Sequence, residues 1–254
     1  MSKKPTIKRK IIKTLWVIFG VSVLFSVLLF GLIAVGAIGY LPPIDQLENP
    51  IDKYASQLYS SDGEVLTTYS QSKENRVFVT YDELSPHLIN ALIATEDIRF
   101  YSHSGIDAYA LARAVIKRGL LRQKSGGGGS TITQQLAKLL YSPKAESTFH
   151  RLLQKPNEWV IAVKLEHFYT KEEIINLYLN KYDFNYNAVG IKSAAKTYFN
   201  KLPSELNVEE SAMLIGMCKN SSLYNPVRRP ELTQQRRNVV LNQMRKSRHL
   251  TQNQ

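Results

Sequence analysis

The residues Glu96-Asp97-Ile98-Arg99-Phe100-Tyr101-Ser102-His103-Ser104-Gly105 set two carboxylates at the end of an apolar run and follow them with aromatic, His and Gly punctuation. The run before them reads Leu88-Ile89-Asn90-Ala91-Leu92-Ile93-Ala94-Thr95. Ser85 can cap a helix there, and Pro86 suits its first turn. A helix that is apolar on nearly every side has to be buried. Its C-terminus carries partial negative charge, which disfavours a second negative charge. Burial disfavours an ionised carboxylate as well. Glu96 is therefore placed to take up a proton, the work of a general base. Asp97 points elsewhere on the helix and shapes the site. Phe100 and His103, four and seven residues on, would share the side of Glu96 if the helix continued. His103 reads as an orienting hydrogen-bonder rather than a second base. The plain alternative is a solvated acidic pair at a helix end, and this segment alone does not choose between them.

Further runs downstream widen the choice of chemistry. Gly128-Gly129-Ser130-Thr131-Ile132-Thr133-Gln134-Gln135-Leu136-Ala137-Lys138 opens a helix after glycines, and backbone N–H groups at such an end favour phosphate oxygens. It is no P-loop, because Gly-Lys-Ser/Thr is absent. Gln134 and Lys138 are spaced i, i+4 and share a face, with Gln135 beside them. Lys155-Pro156-Asn157-Glu158-Trp159 follows, then Lys171-Glu172-Glu173-Ile174-Ile175-Asn176-Leu177-Tyr178-Leu179-Asn180, and last Gly190-Ile191-Lys192-Ser193-Ala194-Ala195-Lys196-Thr197-Tyr198-Phe199. In this order and spacing, the five runs resemble the motifs of the peptidoglycan glycosyltransferase family, the transglycosylase domain of class A penicillin-binding proteins, over residues 54–244.

That resemblance implies a mainly α, lysozyme-like helical glycosyltransferase domain with a small β element. The implied reaction joins two polyprenyl-diphosphate-linked disaccharides with inversion. It needs a base on the attacking hydroxyl and positive charge on the leaving group. The resemblance assigns catalysis to Glu96 and Glu158. It assigns substrate binding to Asp97, Phe100, His103, Ser130, Thr131, Gln134, Gln135, Lys138, Arg151 and Lys155, with Lys138 as a diphosphate ligand. The third motif departs from the family's Arg-Lys-x-x-Glu, since Gln154 stands where the arginine belongs. Arg151 lies three residues earlier and is the residue available to replace it. Glu158 orients the leaving diphosphate or a cation if it is not an acid. No cofactor is required by this chemistry, although it leaves room for a divalent cation between diphosphate and carboxylates. Ser193-Ala194-Ala195-Lys196 spells S-x-x-K, but neither S-D-N nor K-T-G occurs, so a penicillin-reactive serine is rejected. The five His and one Cys show no zinc spacing. The alternatives in play are a lysozyme-like lytic enzyme and a non-catalytic membrane scaffold.

Position relative to a membrane follows from the N-terminus. Residues 15–40 carry no charge, enough for a bilayer core of about 20 helical residues. Trp16 and Tyr40 stand near the two ends, as interfacial aromatics do. Lys3, Lys4, Lys8, Arg9, Lys10 and Lys13 precede the run, which orients the N-terminus to the cytoplasm and the rest outward. The run is too long for a cleaved signal core of about 7–15 residues, so an uncleaved single-pass anchor in the cell (inner) membrane is expected. Those six cations are half of the net charge of +12. An outward-facing basic surface suits anionic lipid headgroups and a diphosphate better than nucleic acid. The expected partners are lipid II and the growing glycan strand, membrane lipids, and a cell-wall synthesis complex. Cys218 is the only cysteine, so no intramolecular disulfide forms; a buried packing role is expected.

The expected order is a basic tail (1–14), an anchor (15–40), a stalk (41–53), the catalytic domain (54–245) and a tail or truncated linker (246–254). Strands are expected at 54–59 and 64–69 around the Asp62-Gly63 turn, with a third at 76–80. Helices are expected at 159–168, 171–180, 207–217 and 233–245, with Asn207 and Glu210 forming a capping box. Residues 108–124 alternate apolar side chains with Arg113, Lys117, Arg118, Arg122 and Lys124, a pattern suited to a membrane surface. Residues 125–130 read as a mobile loop on the rim of the site.

Overall fold

The computed structural model describes residues 7–38, 40–43, 46–47, 56–62, 65–69, 78–120, 128–143 and 147–250. Helix α1 (Ile7–Ala34) is followed by strands β1 (Ser56–Tyr59) and β2 (Val65–Tyr69), and the later elements among the described residues are helices. Residues Lys8–Ala34 are long and apolar enough to cross a membrane. The helix starts inside the expected basic tail, because Lys and Arg are good helix formers. It stops short of Tyr40, where Gly36 turns the chain at a φ of +75°.

The two strands pair antiparallel, with Gln57 opposite Thr68 and an irregularity between Leu58 and Tyr59. The third expected strand is absent over 78–80, and 76–77 lie outside the described residues. A side chain takes the place of a ladder there. Asn180 accepts from the Val79 N–H at 3.0 Å and donates to its carbonyl at 2.9 Å.

The helical part is built round α2 (Pro86–Glu96). Ser85 caps it, accepting from the His87 N–H, and Pro86 occupies its first turn. Leu88, Ala91, Leu92, Ile93 and Ala94 are buried, as a helix apolar on most sides requires. The cover comes from α8 (Val208–Met217) and α9 (Pro230–Lys246). Asn207 and Glu210 form the capping box of α8. On the other flank α4 (Ile132–Tyr141) packs on α5 (Thr148–Phe168) and α6 (Lys171–Lys181). Truncating Leu92 or Leu136, both fully buried, would cost about 2–5 kcal/mol.

Two expectations need revision. Helix α5 begins eleven residues before 159, at Thr148, so Glu158 sits mid-helix. It runs through Pro156, giving up one backbone bond. The amphipathic segment is not one α-helix. It comprises α3 (Ala108–Ala114) and a π-helical turn over Val115–Leu120, with 121–127 outside the described residues. The last helix before α8 is α7 (Ile191–Phe199), ended by Asn200 in the left-handed region.

Candidate active site

Glu96 is the last residue of α2, and Asp97 leaves the helix. The two carboxylates then do different things. Asp97 is 7% exposed; its Oδ2 accepts from the Ile132 N–H at 3.1 Å and sits 3.0 Å from His103 Nε2. It therefore ties the start of α4 to the turn after α2, which is a shaping role. Glu96 faces a cleft. Gln135 Nε2 donates to its Oε2 at 2.9 Å, and Arg236 Nη2 lies 3.3 Å from its Oε1. Tyr178 donates to Gln135 Oε1 at 3.2 Å, which fixes the amide with its N–H toward Glu96. Burial pushes the Tyr178 phenol well above its ordinary range, so it remains a donor.

Arg236 was not visible as a site residue in the sequence. It belongs to α9, 140 residues from Glu96, and lies outside all five runs. Its side chain is only 11% exposed, and its Nε reaches the Gly216 carbonyl at 3.4 Å. The expected crowding of negative charge at the end of α2 is thus met by a guanidinium from a distant helix. The run at 190–199 is the last of the five that carry the family resemblance. It forms α7, whose residues line neither of the clefts described below.

Gly105 closes the first motif at a φ of +86°. A Cβ there would meet the Ala162 carbonyl carbon and oxygen at 2.8 Å, so only glycine lets this turn lie on α5. Its carbonyl accepts from Thr131 Oγ1 at 2.7 Å and from Gln134 Nε2 at 3.3 Å. Thr131, rather than Ser130, is the N-cap of α4. Thr131 and Gln134 are almost wholly buried, and their polar groups serve this junction. Phe100 is fully buried beneath the Lys171 ammonium, 4.3 Å from its ring centre. Neither Phe100 nor His103 lines the clefts, because α2 stops at Glu96 and the turn carries both rings into the core. Both rings therefore stand behind the cleft walls.

The second carboxylate is placed unexpectedly. Glu158 is fully buried and does not line the cleft. Arg151 grips it with both guanidinium nitrogens, Nη1 on Oε1 and Nη2 on Oε2, the latter at 3.0 Å. Lys155 Nζ lies 2.9 Å from Oε2, and the Ser142 hydroxyl is 3.3 Å from Oε1. Residues 151 and 158 are seven apart, two helical turns, so the early start of α5 puts them on one face. Gln154, in the place of the missing arginine, accepts from Arg151 at 3.1 Å. Lys155 also donates to Ser130 at 3.1 Å, joining the third motif to the second.

Two clefts meet at Glu96. One, of about 470 Å³, is lined by Ser130, Gln134, Gln135, Lys138, Arg151 and Lys155. The other, of about 630 Å³, is lined by Arg99, Arg113, Lys117, Lys219 and Arg236 with Ile98 and Val239. Thr95, Glu96, Gly128, Ser130 and Lys219 belong to both. Arg113 and Lys117 thus face a cleft, where the sequence pattern had pointed them at a membrane. Lys138 reaches solvent, yet its ammonium is held below the usual lysine range. Partial burial is the main cause, the Arg151 charge the next, with Glu158 opposing. Cys218 lies buried on the wall, its thiol pushed up by burial. Among the described residues no group of three or more His, Cys, Asp or Glu side chains could hold a metal ion.

The transglycosylase family model matches residues 62–245. The chain belongs to the transglycosylase family. It is 38% identical over 215 residues to penicillin-binding protein 1A of Escherichia coli strain K12, covering 84% of this chain and 24% of that one. It is 39% identical over 239 residues to penicillin-binding protein 1A of Neisseria flavescens, covering 93% and 29%. A crystal structure of penicillin-binding protein 1A from Haemophilus influenzae superposes with a TM-score of 0.41 at 21% identity, over 79% of this chain and 19% of that one. The chain therefore spans less than a third of the length of these curated relatives.

Proposed function

We propose that this transglycosylase polymerises lipid-linked disaccharide (lipid II) into glycan strands at the outer face of the membrane, with its N-terminus in the cytoplasm. The observation that carries the reading is the position of Glu96 where two cation-lined clefts meet. Joining two diphosphate-bearing substrates needs a base between two anion-holding surfaces. The 4-hydroxyl of the acceptor sugar attacks the anomeric carbon of the donor. The new C–O bond forms as the bond to the diphosphate breaks, with inversion, and the hydroxyl proton passes to Glu96. Lys138, Arg151 and Lys155 take up the charge that develops on the departing polyprenyl diphosphate. Glu158, enclosed by two of those cations, holds them in place and exchanges no proton. On this reading Asp97, His103, Thr131 and Gln134 keep the two motifs in register, and Gln135 and Arg236 aim Glu96. No cofactor takes part in these steps, and a parallel reaction with EDTA tests whether a divalent cation assists.

The test is incubation of the full chain in detergent or vesicles with lipid-linked disaccharide, and separation of products by length. Chains of many repeats from the parent and none from Glu96→Gln are expected. The same preparations are given isolated cell-wall sacculi. Release of fragments from sacculi with no polymer from the lipid-linked substrate would assign a lytic enzyme instead. Inactivity in both assays by a folded protein would assign a scaffold.

A further inference from the structure

Most of α1 is bare. Trp16 is 67% exposed and Phe25 66%. The last two turns differ: Leu29 and Phe30 are half-buried, and Ile33 is 3% exposed. The cover is α5. The rings of Phe30 and Trp159 stack with centroids 6.0 Å apart and planes 8° apart. Trp159 immediately follows Glu158. Successive helix residues point about 100° apart, so α5 turns Glu158 inward to Arg151 and Lys155 while Trp159 turns out to α1. Val163, one turn on, continues that outer face at 46% exposure.

The chain is pinned again after α1. Tyr169, at the end of α5, donates to the Leu47 carbonyl at 2.7 Å. Tyr141, at the end of α4, donates to the Gln46 carbonyl at 2.7 Å, and Leu47 is fully buried. Two separate docking points, one inside the helix and one beyond it, do not describe a tether. They describe a helix fixed to the body it carries.

The depth of the first point follows from length. Lys13 is the last cation before the apolar run, and a hydrocarbon core takes about 20 residues at about 1.5 Å each. Four residues separate Phe30 from Ala34, so the stack lies roughly 6 Å inside the outer boundary. A tryptophan is at home there. Glu158 and its two cations are one residue away, turned about 100° around the same helix, so the depth at which Trp159 is seated governs their distance from the lipid phosphates, where a membrane-held polyprenyl chain presents its diphosphate.

We propose that the Phe30–Trp159 stack, with the pinned residues 46–47, sets the height and tilt of the diphosphate-holding face above the bilayer. Phe30 and Trp159 are positioning residues acting through α5. This deepens the function proposed above and rests on it for the identity of the lipid-linked substrate.

The chain has two tryptophans, so Trp16→Phe leaves Trp159 as the sole reporter. The full chain with this change is placed in vesicles of lipids brominated near the headgroup end of their acyl chains. Trp159 emission should be quenched by these lipids and spared by aqueous iodide. Adding Phe30→Ala should at least halve the bromine quenching and admit iodide, whereas Phe25→Ala should change neither. In polymerisation, an aromatic pair of this kind corresponds to about a two- to tenfold loss for Phe30→Ala. Phe30→Tyr should restore the rate. A short-chain, water-soluble analogue of the lipid-linked disaccharide should be used equally by Phe30→Ala and its parent, because height no longer matters. A merely structural defect would slow both substrates alike and overturns the proposal. Iodide quenching of Trp159 in the parent overturns it too, as does identical behaviour of Phe30→Ala and Phe25→Ala. The emission arm needs no turnover, so it stands or falls separately from the assigned activity.

Discussion

Replacing Glu158 by Gln separates a proton donor from a holder of cations. The side chain keeps its size and one acceptor, but the charge shared by Arg151 and Lys155 is lost. Breaking a fully buried ion pair costs about 3–5 kcal/mol. Here the carboxylate is buried while the cations keep 30% and 29% of their side-chain surface, so solvent relieves part of that cost. About 1–3 kcal/mol remains. In a domain of this size about 1 kcal/mol moves Tm by roughly 2–4 °C, so a fall of about 2–12 °C is expected. Arg151 and Lys155 would then repel each other and Lys138, and the loss should appear as weaker binding of polyprenyl diphosphate. Each 1.4 kcal/mol of misplaced contact is about tenfold in affinity. Arg151→Gln in the same protein should cost less than the sum of the two single changes, because both ends of one pair are gone. The assays are thermal unfolding, diphosphate affinity and single-turnover rate for the three variants. A loss of 10² or more in single-turnover rate, with Tm and affinity unchanged and the two changes additive, would refute the holding role and restore Glu158 as an acid.

Gly105→Ala should destabilise by about 2–5 kcal/mol in chemical denaturation, from a left-handed backbone and a Cβ driven onto Ala162; a change under about 0.5 kcal/mol would show that α5 can move away. Arg236→Met should slow single turnover by about tenfold or more and Arg236→Lys by less, since only the charge beside Glu96 is kept; equal rates for both and the parent would make Arg236 a bystander. Because burial and Arg151 lower the proton affinity of Lys138, its ammonium is lost at a lower pH than in free lysine, and polymerisation should fall as pH rises through that value. Lys138→Arg, charged throughout, should move that alkaline limb outward, and an unmoved limb assigns it to another group.

Much of the fold could be read from local rules. Ser85 and Pro86 start α2, and Asn207 with Glu210 starts α8, because capping depends on residues no more than three apart. The hairpin at Ser56–Tyr69 followed from alternation around a turn. The failures were non-local. Residues 78–80 look like a strand but are held by Asn180, about a hundred positions on. The start of α5 was missed because Pro156 reads as a helix breaker, while burial of Ile161, Ala162 and Leu165 carries the helix through it. Residues 108–124 have the composition of a membrane-surface helix, and no periodicity could reveal that Arg113 and Lys117 line a cleft.

The same division runs through the site. Residue types pointed to Glu96, the family resemblance supplied Lys138 and Glu158, and Arg151 was named only as the arginine nearest the vacant motif position; its two-turn spacing from Glu158 on one helix came with the early start of α5. What could not be read was which carboxylate meets which cation across the fold. Asp97 and Glu96 are adjacent in sequence. One is consumed by His103 and the Ile132 N–H, the other meets Arg236 from α9. That choice is made by the break at the end of α2, which rotates neighbouring side chains apart. Two carboxylates of similar intrinsic acidity thereby acquire different work: one is saturated by structure, the other keeps its face to the cleft. Glu158 shows the converse. Its charge is legible, but its burial is not, nor its pairing with both Arg151 and Lys155, on which the proposed holding role rests. With Lys138 beside them, the cleft carries more positive charge than Glu158 balances, and on the proposed function that surplus is what the substrate's diphosphate would relieve.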